Sequence, residues 1–242
     1  MPGRDMVRDS RNGIPSMTSA LRGKHLGIIA EVKRSSPSKG VINQSIDSGA
    51  QAASYERGGA SAISVLTEPD RFGGRDEDIT SARAASRLPI LKKDFHVTED
   101  QIVHAALLGA SAALVIVRAI EPAMLPRLAR AGSEVGIELL YEVRDERELE
   151  RALAAGATMI GVNHRNLETL QIDPETVTRI VPLIPADCVA IAESGYSSRE
   201  GIAIAAGAGA DAVLVGSALS ASSDAAEAVS RLTGIARISR KR

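Results

Sequence analysis

The chain is short of the residues that staple or anchor many small proteins. Its 242 residues include one cysteine, Cys188, no tryptophan, two phenylalanines and three tyrosines. A single cysteine makes no internal disulfide, and no Cys/His spacing matches a structural zinc site, so no metal is expected. No apolar run reaches the roughly 18 residues that a membrane-spanning helix needs. The first residues, Met1-Pro-Gly-Arg-Asp-Met-Val-Arg8, are polar and lack the apolar stretch of a secretory signal. Charge of one sign is missing too. Lys+Arg at 29 against Asp+Glu at 30 leaves a formal net charge of -1, which argues against nucleic acid or an anionic membrane as the main partner. These absences predict a cytoplasmic protein with no nucleic-acid, membrane or obligate protein partner.

What is present is ordinary globular composition, 44% hydrophobic and 24% charged. At about 150 residues per domain the length suits one large barrel or two small domains. With so few aromatics the core must be built from Ile, Leu, Val and Ala.

Residues 1–27 read as a polar arm with a short helix at Met17–Leu21. Beyond it, β-rich apolar runs occur at Ile28–Val32, Ala62–Leu66, Pro89–Leu91, Ala112–Val117, Glu138–Tyr141, Met159–Val162, Val189–Ala192 and Ala212–Val215. Helical patterns with polar faces separate them, among them Glu121–Glu134, Asp145–Ala155 and Ser198–Ala206. Gly59-Ala60, Gly109-Ala110, Gly156-Ala157 and Gly209-Ala210 each follow a helical stretch and precede a strand, where a left-handed helix terminator is expected. Strand followed by helix, eight times, predicts a single-domain α/β fold, a (β/α)8 TIM barrel over residues 28–236. No Gly-x-Gly-x-x-Gly follows the first strand, which disfavours an open doubly wound sheet. Residues 237–242 read as a solvated basic tail.

In such a barrel the chemistry sits at the carboxyl ends of the strands. The predicted strands run out into Glu31 and Lys33, Thr67-Glu68, Lys92-Lys93-Asp94, Arg118, Glu142, Asn163-His-Arg165, Glu193-Ser194-Gly195 and Gly216-Ser217. Bases and acids converging on one mouth are costly unless paired or used. Glu31 and Lys33 are two apart and share a face, fitting either a rim ion pair or a carboxylate that holds an anion-binding lysine. Lys93 is the candidate general acid and Glu142 the candidate acid or base. Lys92 alternates to the outside of the barrel. Gly195 and Gly216-Ser217 follow strands seven and eight, the recurrent phosphate position of barrels. Phe72 and Phe95, the only phenylalanines, both follow strand ends and suit an aromatic or apolar ligand.

Six segments in chain order carry a resemblance. They are Ile28-Ile-Ala-Glu-Val-Lys-Arg-Ser-Ser-Pro-Ser-Lys-Gly40, Ser64-Val-Leu-Thr-Glu68 with Phe72, Leu91-Lys-Lys-Asp-Phe95, Gly161-Val-Asn-His-Arg-Asn-Leu167, Ala192-Glu-Ser-Gly195 and Leu214-Val-Gly-Ser217. Together they resemble the indole-3-glycerol phosphate synthase family over about residues 17 to 220. The resemblance implies a cofactor-free and metal-free lyase of tryptophan biosynthesis. Such an enzyme closes the indole ring of 1-(2-carboxyphenylamino)-1-deoxyribulose 5-phosphate with loss of carbon dioxide and water. It implies that Lys93 is the general acid, Glu142 its partner acid/base, and Lys33 the ligand of the substrate carboxylate and an acid in dehydration. Glu31, Asn163, Glu193 and Ser194 would support the reacting centre. Ser36, Gly195, Gly216 and Ser217 would hold phosphate. Pro37, Phe72, Phe95, Leu114, Leu167 and Leu214 would line the ring pocket, with Arg165 beside it.

Three departures stand out. The family's leader helix covers the substrate, and Met17–Leu21 is what remains of it here. His164 replaces a small or amide residue, and Ser220-Ala-Ser-Ser replaces Met-Arg. Neither replacement is expected to touch a catalytic role. Two other functions compete. A phosphoribosylanthranilate isomerase would want a Cys and an Asp at early strand ends. A barrel that binds a phosphorylated ligand without turnover would not require Lys93, Glu142 and Lys33 together.

Overall fold

Period-two alternation along each strand decides which side chains enter the barrel and which face the helices. The structure, a computed structural model, describes residues 3–166 and 168–240. Eight parallel strands close on themselves: β1 (Gly27–Val32), β2 (Ala62–Leu66), β3 (Ile90–Lys93), β4 (Ala112–Ile116), β5 (Glu138–Val143), β6 (Met159–Asn163), β7 (Val189–Glu193) and β8 (Ala212–Val215). Each strand pairs with its sequence neighbours, and β1 closes the ring against β8, with Ile29 opposite Leu214. This is the single (β/α)8 barrel that the alternating pattern requires.

Gly59, Gly109, Gly156 and Gly209 have φ of 87°, 86°, 81° and 95°, so the recurrent Gly-Ala pairs are indeed left-handed helix terminators. Helix starts follow their caps. Thr98 and Gln101 form a reciprocal capping box at Glu99–Leu107, and Ser198 caps Arg199–Gly207. Several strands run one or two residues past the apolar runs, β5 through Val143, β6 through Asn163 and β7 through Glu193 among them. β3 runs on through Lys93, so the lysine is held by the sheet itself and not by a loop.

The interior of the barrel is a separate apolar cluster from the layer between strands and helices. It contains Ile29, Leu91, Leu114, Leu140, Met159, Ile191 and Leu214, and also Met17 and Leu21 of the arm. Two short helices lie in the arm, α1 (Arg4–Asp9) and α2 (Met17–Ala20). The N–H groups of Met17 and Thr18 and the Ser16 hydroxyl donate to Glu138, at the first residue of β5. Leu21 packs beside Gly27, the first residue of β1. Both contacts are at the amino ends of strands. The Met17–Leu21 segment therefore plugs the floor of the barrel and does not cover the substrate end.

The basic tail also differs from expectation. The side chain of Arg240 is 4% exposed. It donates to the carbonyls of Cys188 (2.5 Å) and Gly209 and meets Asp211 at 3.0 Å. Arg237 takes the other oxygen of Asp211 at 3.1 Å. Strand β8 starts at the next residue, so Arg237 and Arg240 clamp the floor of the barrel instead of extending into solvent.

Leu21→Ala removes a fully buried side chain from this plug and should cost about 2–5 kcal/mol. Denaturant unfolding would show that loss. Turnover per folded molecule should stay near that of the parent; a raised KM instead would restore a covering role for the segment.

Candidate active site

Continuing the inward alternation upward carries six of the eight strands from the apolar interior to the groups of the site, whereas β2 and β4 end on Leu66 and Ile116. Ile29 leads to Glu31 and Lys33, Leu91 to Lys93, Leu140 to Glu142, Gly161 to Asn163, Ile191 to Glu193 and Leu214 to Gly216. These groups meet at the floor of a cavity of about 270 Å³ at the carboxyl ends of the strands. Its lining includes Glu31, Lys33, Ser36, Pro37, Phe72, Lys93, Phe95, Leu114, Glu142, Asn163, Arg165, Glu193, Ser194, Gly195, Leu214, Gly216 and Ser217. The structure thus brings the candidate residues together, save Leu167, which lies outside the described residues.

The centre of the floor is Lys93. Its Nζ lies 2.6 Å from Glu193 Oε2 and 3.3 Å from Glu142 Oε2. Burial by itself depresses an ammonium's proton affinity, but Glu193, Glu142 and Glu31 together outweigh it and raise Lys93 above the ordinary lysine value. Lys93 is therefore charged throughout the neutral range. Glu193 moves upward as well, because burial and the charges of Glu142 and Glu31 outweigh its bond to Lys93. One oxygen of Glu193, Oε1, is buried without a hydrogen-bond partner among the described residues. It lies directly over Gly161, where a Cβ would collide with it.

Glu31 and Lys33 form the second pair, 2.7 Å apart. Here too a glycine makes the room, since a Cβ on Gly216 would strike both side chains. The backbone that carries them is held by Ser220, whose hydroxyl donates to the Glu31 carbonyl at 2.8 Å and accepts from Lys33 N–H at 3.1 Å. The departure at Ser220 thus does bear on the candidate catalytic pair, contrary to the sequence expectation. It sits in the short helix Ser217–Ser220 behind β8, a proximity that strand patterning does not disclose.

Asn163 accepts from Ser194 Oγ at 2.8 Å and from Arg165 N–H at 2.9 Å. Ser194 (φ 73°) and Gly195 (φ 75°) are consecutive left-handed residues. For serine that conformation is uncommon and is held by the surrounding contacts. Phe72 ends a one-turn helix, Pro69–Phe72, rather than lying in a loop, and Phe95 is 40% exposed at the mouth. Arg165 Nη1 donates to the Leu170 carbonyl at 2.7 Å, which fixes the guanidinium at the cavity wall.

Lys92 does face away from the barrel, but it is buried and doubly paired, with Asp94 at 2.7 Å and Asp76 at 3.2 Å. Asp94 also accepts from Thr67 Oγ1 and the Phe95 N–H. The outer network thereby anchors the end of β3, next to Lys93. His164 is buried, packs against Tyr196 with ring centroids 5.0 Å apart and the planes tilted by 42°, and is held less basic than usual by that burial. The cavity also takes in Lys39, Arg71, Leu170, Tyr196 and Ala218, which strand ends alone do not single out. Lys39 belongs to the first motif; Leu170 and Tyr196 lie on loops, and Arg71 and Ala218 in the short helices Pro69–Phe72 and Ser217–Ser220, whose return to the mouth only the fold reveals.

Among solved structures, the barrel is similar to a thiamine phosphate pyrophosphorylase from Pyrococcus furiosus (TM-score 0.63, 16% identity, 88% of this chain and 95% of that one). At that identity the likeness is one of fold. Sequence relatives are much nearer. Indole-3-glycerol phosphate synthase 1 of Streptomyces coelicolor is 47% identical over 226 residues, covering 93% of this chain and 82% of that protein. The indole-3-glycerol phosphate synthase of a Nocardioides species is 49% identical over 208 residues, 86% of this chain and 80% of that one. The family model described as indole-3-glycerol phosphate synthase matches residues 6–232. A match of that extent, over a barrel whose floor holds both lysine–carboxylate groups, places the chain in the indole-3-glycerol phosphate synthase family.

Proposed function

We propose that this cavity closes the five-membered ring of 1-(2-carboxyphenylamino)-1-deoxyribulose 5-phosphate and releases indole-3-glycerol phosphate, carbon dioxide and water. The observation that carries this assignment of roles is the Lys93 ammonium, set between Glu193 and Glu142 on the cavity floor.

The ring carbon that bears the carboxylate attacks the ketone. A ketone becomes a good electrophile only as its oxygen gains a proton, and Lys93 supplies it. Its raised proton affinity is no obstacle, because the alkoxide forming at that oxygen is a far stronger base than an ammonium's conjugate amine. Glu193 keeps Lys93 loaded and aimed. Loss of carbon dioxide then restores the aromatic ring, with Lys33 holding the carboxylate beforehand. The new hydroxyl leaves as water on a proton from Lys33, while Glu142 takes the proton from the neighbouring methylene carbon. Every step moves protons or carbon bonds without net oxidation, so the chemistry asks for no cofactor.

Orientation does the rest. Phosphate at Ser36, Gly195, Gly216 and Ser217 and the aromatic ring among Pro37, Phe72, Phe95, Leu114 and Leu214 would bend the substrate so that ring and ketone meet. Such positioning is worth several kcal/mol of the barrier. No helix among the described residues is long and apolar enough to cross a membrane. The reading places a phosphorylated small molecule as the partner and the cytoplasm as the site of action.

The test is to mix the protein with the substrate and follow indole fluorescence. Ring closure gives a rising signal; phosphate-dependent binding without product would favour a binding barrel instead. Ser217→Asp sets an anion against the phosphate and should raise KM about tenfold or more, with kcat changed far less. An unchanged KM would remove Ser217 from the phosphate site.

A further inference from the structure

Glu142 has a second side. Beside the main cavity, and sharing Glu142, Asn163 and Arg165 with it, lies a chamber of about 10 Å³ whose lining also includes Arg118, Arg144 and Glu148. That volume matches about one water-sized sphere, and a buried water needs two to four polar partners. The walls offer them. Arg144 also carries a buried Nε–H with no hydrogen-bond partner among the described residues, the kind of donor that an ordered water satisfies.

Glu148 is a second carboxyl on this chamber that the ring-closure scheme leaves unused. It belongs to the helix Glu146–Ala154 and is buried, 6% exposed. One oxygen accepts from Arg144 N–H at 2.7 Å, and the other lies 3.3 Å from Arg118 Nε. Arg118 is about one-third exposed and reaches toward Glu168 at the surface, so this wall leads to solvent. The charged groups around Glu148 are Asp145 and Arg144 at the start of its own helix, Arg118 from the turn after β4, Glu142 from β5 and Arg165 from β6. Burial, aided by Asp145 and Glu142, holds its proton affinity above the ordinary glutamate value against the Arg144 N–H and Arg118.

We propose that Glu148 is the proton exchanger behind Glu142, linked to it by one water in the chamber, so that Glu142 is recharged through the barrel wall. The proposal rests on Glu142 acting as the acid/base. Once Glu142 has taken the methylene proton, it passes that proton to the water oxygen. The water passes one of its own protons to the Glu148 carboxylate and is regenerated. Glu142 returns to the carboxylate, and Glu148 gives the proton to solvent beside Arg118. No electrons change hands. The route has a clear use: Glu142 is buried at the cavity floor, and a substrate seated there would stand between it and the cavity mouth.

Glu148→Gln keeps an oxygen for the Arg144 N–H and removes the ionisable group. Its steady-state kcat should fall about five- to tenfold with a larger solvent deuterium isotope effect on kcat, while the first turnover, which starts with Glu142 already ionised, keeps the parent rate. The parent rate should fall at acid pH as Glu148 becomes protonated, and this limb should vanish in the variant. Arg118→Met removes a neighbouring cation, raises the proton affinity of Glu148, and should move the same limb to higher pH. Arg118 is partly exposed, so this variant decides the matter if Glu148→Gln does not fold. Parent-like pH profiles and isotope effects, with only a lowered Tm, would overturn the proposal. Glu142→Gln, measured alongside, separates the two failures. Near-normal turnover there would defeat the role of Glu142 itself, whereas an inactive Glu142→Gln beside unaltered Glu148 and Arg118 variants would defeat the exchanger alone.

Discussion

Lys93→Met should lower kcat by about 10²-fold or more, the range expected when a general acid is lost. Methionine has nearly the lysine stem's length but cannot protonate the ketone. It also leaves the carboxylates of Glu193 and Glu142, now 2.6 Å and 3.3 Å from the ammonium, facing each other without a cation. Removing one partner of a buried ion pair typically costs about 3–5 kcal/mol, and one of the carboxyls should take up a proton in response. Stopped-flow indole fluorescence reads the rate, and denaturant unfolding reads the stability. Turnover within a few-fold of the parent would reject Lys93 as the acid. Because both effects follow from one ammonium, Lys93→Arg is the useful partner variant. It restores charge but is too bulky and too weak an acid, so it should recover stability more than rate.

Gly161→Ala should be nearly as damaging, although it adds a single methyl and removes no functional group. The new Cβ would occupy the space of Glu193 Oε1. Gly161 is on β6 and fully enclosed by the barrel, with the Leu140 side chain on its other side. The carboxylate must therefore swing away, and Lys93 loses its shortest ion pair. Overpacking a dense core costs about 1–3 kcal/mol, and a misplaced catalytic group of about 1 Å can cost about 10²-fold in rate. We expect a kcat loss of that order with KM little changed, measured by the same fluorescence assay. A fully active Gly161→Ala would mean that the position of Glu193 is immaterial to turnover.

Much of the catalytic floor was legible because a barrel strand obeys a two-residue period. Once Ile29, Leu91 and Ile191 are taken as interior, Glu31, Lys93 and Glu193 must follow on the same face. The Gly-Ala pairs were legible for a similar local reason, a left-handed terminator that glycine meets without strain. The parts that escaped reading depend on distance in sequence. Nothing near Ser220 announces that its hydroxyl will bridge Glu31 and Lys33 across 189 positions. Nothing in a four-residue helix says which end of the barrel it will close, and Met17 and Leu21 went to the floor because the mouth is polar and the floor is not. Gly161 reads as an ordinary strand residue and Gly216 only as a phosphate-site turn, since the side chains that need their empty space come from other strands. The burial of Arg240 was hidden in the same way: a basic tail looks solvated until Asp211 and a ring of carbonyls are known to await it.

The pairing of β1 with β8 has a consequence for how the molecule is made. The strand at Gly27–Val32 finds its second neighbour only when the segment at Ala212–Val215 exists. Until then a nascent chain carries an open sheet with two bare edges and an unsealed apolar interior, a species prone to sticking to its neighbours. Contacts of such long sequence separation also form slowly. Synthesis at a temperature that favours slow, guarded maturation should therefore yield more usable protein than any change made at the catalytic end.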